Sequence, residues 1–344
     1  MSSIPAQPIG QSESFHALMD RVSNTASLDR PVLIVGERGT GKEMVASRLH
    51  FLSPRWEALY VKVNCAAFSD DMLDRELFGE TFMDGRDDTN GRFYEADGGT
   101  IFLDNIESLS PRLQEKLMRA VEYGEYEAGG EAETQQVDVH LITATGIDLP
   151  AAARRGEFRA DLIDRLAFDV ITLPPLRARR EDIALLAEHF GRKISADLGA
   201  DVFPGFTAEA MVTMETRDWN GNVRELKTVV ERNVARAFLL DETLTNPISD
   251  LNFDPFESPY RLNDTDVSPS APAEIAIIDE NIPQTEELPA GLSRSFSERV
   301  LVFERRLIDE ALKLHDGHQG KAAAHLELTY HSFRGLLRKH GLKK

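Results

Sequence analysis

Gly36-Glu37-Arg38-Gly39-Thr40-Gly41-Lys42-Glu43 follows the apolar run Pro31–Val35 and precedes a helical pattern that reaches Leu52. No other feature constrains the fold as strongly. Three glycines let the backbone wrap closely and aim N–H groups at phosphate oxygens. A helix N-terminus directly behind them adds a favourable dipole. Lys42 supplies a point charge for the outer phosphates. GxxxxGK between a strand and a helix is a phosphate-binding loop. Glu43 stands where Ser or Thr usually follows the lysine, so a hydroxyl ligand for Mg²⁺ has to come from elsewhere, and Thr40 is the candidate.

Strand and helix signals alternate around this loop. Phe15, Leu18, Met19 and Val22 recur at helical spacing before it. Tyr60–Val63, Thr100–Leu103, Val137–Ala144 and Phe168–Leu173 read as strands, and Asp71–Phe78 as a helix. Pro111–Tyr123 reads as a helix with Ser110 at its N-cap and Pro111 in its first position. This rhythm predicts an α/β fold, a parallel sheet with helices on both faces. After Pro174-Pro175 the strand signals stop, and helical patterns occupy about 179–196, 207–216 and 221–238. Between Phe253 and Ser295 prolines and acidic residues accumulate against only Arg261 and Arg294, the composition of an extended acidic linker. A helix over about 296–315 and two short helical segments follow.

The formal net charge is −19. It excludes a chain-wide nucleic-acid surface, since phosphate has to be neutralised by Lys and Arg, and it disfavours attraction to a membrane surface. The lone Cys65 allows no disulfide within the chain and fits a reducing cytosol. The first residues carry neither a basic nor an apolar leader region, and no run approaches 18 apolar residues, so a cytoplasmic location is expected.

Basic residues gather at the end. Residues 320–344 hold Lys321, Arg334, Arg338, Lys339, Lys343 and Lys344 against the single acid Glu327. Thr329 suits the N-cap of a helix Tyr330–Lys339, with Phe333, Leu336 and Leu337 facing a core. Lys321, Thr329, Tyr330, His331, Ser332, Arg334, Arg338 and Lys339 are then candidate contacts to double-stranded DNA, the second helix entering the major groove. A small helical hairpin with a solvated basic face is the plainer alternative.

GERGTGKE at 36–43, ELFG at 76–79, ADGGTIFLD at 96–104, GEFRADLIDRL at 156–166, LPPLRARREDI at 173–183 and WNGNVREL at 219–226 together resemble the AAA+ domain of bacterial enhancer-binding proteins. These are activators of RNA polymerase carrying sigma-54, and the end of the chain resembles their Fis-type helix-turn-helix. No receiver or sensory domain precedes the ATPase, an organisation similar to the phage-shock branch of the family. The resemblance implies a tail at 1–10, an AAA+ α/β nucleotide-binding subdomain at 11–175, a helical lid at 176–252, the linker at 253–295 and a DNA-binding domain at 296–344. It implies that the loop residues Gly36 to Glu43 and the lid's Arg224 bind ATP, and that Asp104 holds Mg²⁺. Asn64 is implied to pair with the residue after Asp104 and to relay the state of the γ-phosphate. Arg159 and Arg165 match arginine fingers reaching a neighbouring subunit's nucleotide. Implied partners are further copies in a hexameric ring, sigma-54 polymerase, an enhancer-like DNA site upstream of a stress operon, and a PspA-like negative regulator meeting Trp56. A packed loop aromatic is the alternative for Trp56.

Three departures fall on hydrolysis and force transmission. The usual Asp-Glu pair reads Asp104-Asn105, and an amide cannot accept a proton from water at neutral pH. The apolar sigma-54-gripping loop is replaced by an acidic segment from Glu80 to Gly91 whose large apolar residues are Phe82 and Met83, the candidate partner contacts. Gly146 stands where an asparagine is usual, and His140 replaces an arginine in the same strand. The expectation is a protein that binds ATP well, turns it over slowly, and touches sigma-54 weakly or differently. Rearranged catalytic groups remain an alternative, with Glu107 close in sequence but unplaced. So do a nucleotide-switched DNA-binding regulator and a generic AAA+ remodeller such as a helicase loader.

Overall fold

The computed structural model describes residues 8–80, 89–128, 134–241, 243–258, 260–261, 296–315, 317–326, 328 and 330–340. Two compact units divide the chain, residues 1–261 and 262–344.

The first unit opens with α1 (Glu13–Thr25), capped by the Ser12 hydroxyl, which accepts from the Phe15 N–H. Strand β1 (Val32–Val35) leads through the glycine-rich loop into α2 (Lys42–Leu52). Next come β2 (Tyr60–Asn64) and α3 (Asp70–Phe78), then the short antiparallel pair β3 (Gly79–Glu80) and β4 (Thr89–Asn90), then α4 (Arg92–Glu95). Strand β5 (Thr100–Asp104) passes through the single turn Ile106–Ser108 into α5 (Pro111–Tyr123). The Ser110 hydroxyl caps α5, and Gly124, at φ 67°, ends it in the left-handed region that favours glycine. A hairpin of β6 (Glu125–Glu127) and β7 (Thr134–Gln136) precedes β8 (His140–Thr145), α6 (Leu149–Arg154), α7 (Ala160–Leu166) and β9 (Asp169–Thr172).

The central sheet is parallel, in the order β2-β5-β8-β1-β9. Successive strand residues point to opposite faces, and the core divides accordingly. Val32, Ile34, Phe102, Ile142 and Ala144 pack with Leu18 and Val22 of α1 and with Val45 and Leu49 of α2. Leu33, Ile101, Leu103 and Leu141 pack on the other face with Leu73 and Leu77 of α3, Leu113 and Leu117 of α5, and Leu162 of α7. Both faces are covered, so the strands read as nearly continuous apolar runs.

The expected strand Val137–Ala144 is corrected. Thr134–Gln136 pairs back onto Glu125–Glu127, and the sheet strand begins only at His140, whose N–H donates to the Gly99 carbonyl at 2.9 Å. The residues between turn from the hairpin to the sheet, so one apolar-alternating run serves two ladders. His140 is buried in β8, with Nε2 3.0 Å from the Arg30 carbonyl oxygen, away from the phosphate loop.

After β9 the chain is helical. α8 (Glu181–Asp197), α9 (Ala208–Thr216) and α10 (Asn222–Leu240) enclose a separate core of Leu176, Ile183, Leu186, Met214, Trp219, Leu226 and Val230. Trp219 is buried and donates from Nε1 to the Met214 carbonyl at 2.8 Å.

The second unit holds α11 (Phe296–Leu314), α12 (Gln319–His325) and α13 (Tyr330–Lys339). Ile308, Ala311, Ala322, Ala323, Phe333 and Leu337 form its core. Among the described residues no helix is long and apolar enough to cross a membrane.

Candidate nucleotide-binding site

The parallel register brings the C-terminal ends of four strands level. Asn64 on β2 lies opposite Asp104 on β5, and Val35 on β1 lies opposite Thr145 on β8. Gly36, Asn64, Asp104 and Gly146 therefore mark one edge of the sheet, where open α/β sheets place ligands.

The phosphate loop runs between this edge and the helical lid. Gly39 and Gly41 take φ 81° and φ 108°, a region in which a side chain is strained. A Cβ built on Gly39 would lie 2.2 Å from the Gly221 carbonyl oxygen, so loop and lid approach backbone to backbone. Val223 N–H donates to the Gly39 carbonyl at 3.0 Å. The buried Asn222 completes the junction: its Nδ2 donates to Glu37 Oε2 at 3.1 Å and to the Arg38 carbonyl at 3.0 Å, and its Oδ1 accepts the Leu176 N–H at 2.8 Å. Arg177 holds Glu37 through both nitrogens, at 2.8 and 2.5 Å. Arg177 first, then Asn222, lowers the Glu37 pKa to about 2. Buried Arg179 donates to the Thr40 carbonyl at 3.0 Å.

Lys42 Nζ donates to the Gly36 carbonyl at 2.8 Å. Burial pushes its pKa down, the charges of Asp104 and Glu107 pull it back up, and Arg224 lowers it further. Burial pushes the Asp104 carboxyl up, against the attraction of Lys42. Lysine and carboxylate thus each carry an incompletely offset desolvation cost, which bound phosphate and a divalent cation would offset. Arg224, on α10, makes no side-chain hydrogen bond or ion pair among the described residues, and its Cβ lies 3.0 Å from the position of a Cβ on Gly39. An unpaired guanidinium beside the loop is suited to phosphate.

The residues fit a Mg²⁺ ion carried by a nucleotide. Such an ion takes one or two carboxylates and fills its other positions with phosphate oxygens and water. Asp104 offers one carboxylate, with Oδ1 accepting the Asn105 N–H at 3.0 Å. The candidate hydroxyl, that of Thr40, is buried and donates to the Glu37 carbonyl at 2.8 Å, within its own loop. Glu43 is engaged with Lys62 at 2.8 Å, and Glu37 with the lid, so neither carboxylate faces a phosphate freely.

Asn105 sits at φ 57° and donates its side-chain amide to Asn64 Oδ1 at 2.9 Å. The pair expected at these positions is present in amide–amide form. Glu107, on the turn after β5, accepts the Gly146 N–H through Oε1 at 3.2 Å, while its Oε2 is buried without a partner. Its charge is felt at Lys42 and at Asp104. Sequence reasoning left Glu107 unplaced because its partner is 39 residues away.

The remaining candidates lie elsewhere. Arg159 pairs with Asp161 at 2.8 Å and Arg165 with Glu122 at 2.7 Å, on exposed faces around α7, so neither is brought to the phosphate loop of its own chain. Trp56 is exposed. Phe82, Met83 and Thr329 lie outside the described residues. In the second unit Tyr330, Arg334 and Arg338 recur every four residues along α13 and are exposed. Lys321 is exposed as well. Ser332 is exposed and has a partner of its own. Lys339 is tied to Glu304 at 2.7 Å, which makes it a poorer candidate for DNA than its exposed neighbours.

The family described as Sigma-54 interaction domain matches residues 8–172, and the AAA+ ATPase lid domain matches residues 177–247. The chain is 44% identical over 335 residues to the Psp operon transcriptional activator of Escherichia coli, covering 96% of this chain and 97% of that protein. It is 44% identical over 229 residues to the transcriptional regulatory protein ZraR of Salmonella typhimurium, covering 66% of this chain and 52% of that protein. Among solved structures, NtrX from Brucella abortus in complex with ADP superimposes with a TM-score of 0.66 at 25% identity, over 97% of this chain and 69% of that one. Its complex with ATP gives a TM-score of 0.64 at 25% identity, over 98% of this chain and 69% of that one.

Proposed function

The chain belongs to the AAA+ family of sigma-54-dependent transcriptional activators, and on that premise we propose that it is a phage-shock-type activator that binds MgATP between its phosphate loop and lid and hydrolyses it slowly. One observation carries the reading. The phosphate loop, Lys42, Asp104 and the unpaired Arg224 converge, while the position that would activate water holds Asn105, committed to Asn64. Lys42 and Arg224 are suited to the phosphates, and Asp104 to the cation. An amide can orient water but cannot take its proton; complete loss of a general base would cost roughly 10²–10⁴ in rate, and a base displaced from this position leaves turnover slow.

In this reading subunits assemble into a ring, and Arg159 and Arg165 turn from Asp161 and Glu122 to a neighbour's nucleotide. NtrX binds ADP and ATP, which supports nucleotide binding here. The α12–α13 pair acts as a helix-turn-helix, with Tyr330, Arg334 and Arg338 toward an enhancer-like duplex site. Exposed Trp56 is available to a PspA-like negative regulator, and the controlled operon answers envelope stress. Steady-state ATP turnover by the full-length protein across protein concentrations, with Lys42→Ala as control, tests the motor. Slow turnover that rises cooperatively and is lost in Lys42→Ala is expected; absence of nucleotide binding would overturn the reading.

A second reading, a nucleotide-switched DNA-binding regulator without sigma-54 contact, is favoured by the β3–β4 pair. Glu80 pairs with Thr89, so eight residues, 81–88, separate the paired ends. Out and back, no segment of eight residues can reach beyond roughly 13 Å at about 3.3 Å per residue, and the sequence of this one is acidic. Transcription from a sigma-54 promoter in a purified system separates the two readings.

A further inference from the structure

We infer that Glu107 is the catalytic base of this ATPase, taking the proton of the attacking water that Asn105 cannot accept. The inference rests on the nucleotide-binding reading above and adds a residue to it.

The geometry has three parts. Glu107 stands on the turn Ile106–Ser108, immediately past the β5 end that carries Asp104. Its Oε1 is fixed by the Gly146 N–H at 3.2 Å, so the carboxylate is oriented by the end of β8. Its Oε2 is buried with no partner. A buried carboxylate oxygen without a donor is uncommon and costly, so nothing in the fold holds the carboxylate in this rotamer except the Gly146 N–H, and it is free to turn toward a bound water.

Gly146 makes room for this arrangement. A Cβ there would lie 3.5 Å from Glu107 Oε1 and 4.0 Å from the Gly36 carbonyl, the group that accepts from Lys42. A longer side chain at 146 would occupy the space between the carboxylate and the phosphate loop. The absence of one leaves open the space between Glu107 Oε1 and the Gly36 carbonyl that holds Lys42. The electrostatic influence of Glu107 on both Lys42 and Asp104 agrees with that placement. The two departures from the family pattern, Asn105 and Gly146, are then one change: the carboxylate has moved two residues along the chain, and the side chain that would crowd it is gone.

The water oxygen bonds to the γ-phosphorus, one of its protons passes to the Glu107 carboxylate, and the bond from that phosphorus to the β–γ bridging oxygen breaks with its electron pair on ADP. The proton then leaves to solvent or product phosphate.

The test uses full-length protein, Mg²⁺ and a fluorescent ATP analogue for affinity, with acid-quenched single turnovers of ATP for chemistry. Glu107→Gln keeps an acceptor for the Gly146 N–H. It is expected to bind within about threefold of the unaltered protein, to lose roughly 10²-fold or more in single-turnover rate, and to yield bound nucleotide as ATP rather than ADP. Gly146→Asn, which crowds the same carboxylate from outside, should slow the same step with affinity kept, and serves if Glu107→Gln does not fold. Unchanged turnover in a variant that binds normally would overturn the role of Glu107 while leaving the nucleotide site intact. Binding without turnover by the unaltered protein would overturn it as well. Failure of the unaltered protein to bind the analogue would instead overturn the reading of the site on which it rests.

Discussion

Asn105 donates to Asn64 across neighbouring strand ends at 2.9 Å, and the same Asn64 oxygen accepts the Ala66 N–H at 3.1 Å. The amide pair therefore ties β5 to the turn after β2. If the pair works as a unit, Asn64→Ala and Asn105→Gly should each slow ATP turnover by a similar factor, roughly threefold to tenfold, and the double variant should be no slower than either. Glycine is the suitable replacement at 105 because the backbone there is left-handed. Additive losses, measured as kcat on the three variants, would show two independent residues.

Asn222 should be the most stability-sensitive polar residue at the loop–lid junction. It is fully buried, sits at φ 52°, and satisfies both Glu37 and the Leu176 N–H. Asn222→Ala strands these partners and adds left-handed strain, for a loss of roughly 2–4 kcal/mol. For a unit of this size the melting temperature should drop by roughly 5–15 °C in calorimetry. Asn222→Gly should recover about 1 kcal/mol of it by removing the strain alone.

Glu37 gives the junction a pH dependence of known sign. Its folded pKa, about 2, lies below the ordinary 4.5, chiefly because Arg177 holds the carboxylate. A depressed carboxyl contributes stability above its unfolded pKa and loses it as pH falls through the folded one. The stability gap between the unaltered protein and Arg177→Ala should be full above pH 5 and close between about pH 4.5 and 2. The pair is partly exposed, so the gap should be small, about 1 kcal/mol or less. Urea titrations at several pH values would measure it.

Arg224→Ala separates binding from folding. Since the Arg224 side chain makes no hydrogen bond or ion pair among the described residues, its truncation should leave the melting temperature within about 1 °C. MgATP affinity should fall roughly tenfold, about 1.4 kcal/mol. Equal affinity, read with a fluorescent analogue, would place the lid arginine outside the site.

In the second unit, Arg334→Ala and Arg338→Ala should each flatten the salt dependence of duplex binding by about 0.9 in log–log slope. Lys339→Ala should change it less, because Glu304 already engages that lysine. Anisotropy titrations on a labelled promoter fragment at several salt concentrations would give the slopes.

Much of this was legible in the residues, for a physical reason. The strands are short apolar runs closed by turns, and Ser110-Pro111 or Ser12 announce helix starts through local capping, so nearby residues suffice. The phosphate loop is legible because glycine spacing and Lys42 are themselves the chemistry. Long-range relationships were not legible. Whether Thr40 faces a metal or its own loop depends on which way a buried hydroxyl turns. The run 137–144 alternates like one strand, but where it leaves the hairpin for the sheet is decided by Gly99 and Glu125. The engagement of Glu107 with Gly146 had no signature at all, since glycine contributes only a backbone N–H.

The contact between Gly39 and Gly221 limits how this protein can be altered. With no room at Gly39 for even a methyl group, the junction cannot be loosened or tightened by changing residue size there. Any natural or laboratory variant that retunes the lid must do so through charge and hydrogen bonding, at Glu37, Arg177 or Asn222. Adjustments of that kind are graded and reversible with pH or salt, whereas a bulkier residue at position 39 would simply disconnect nucleotide from lid.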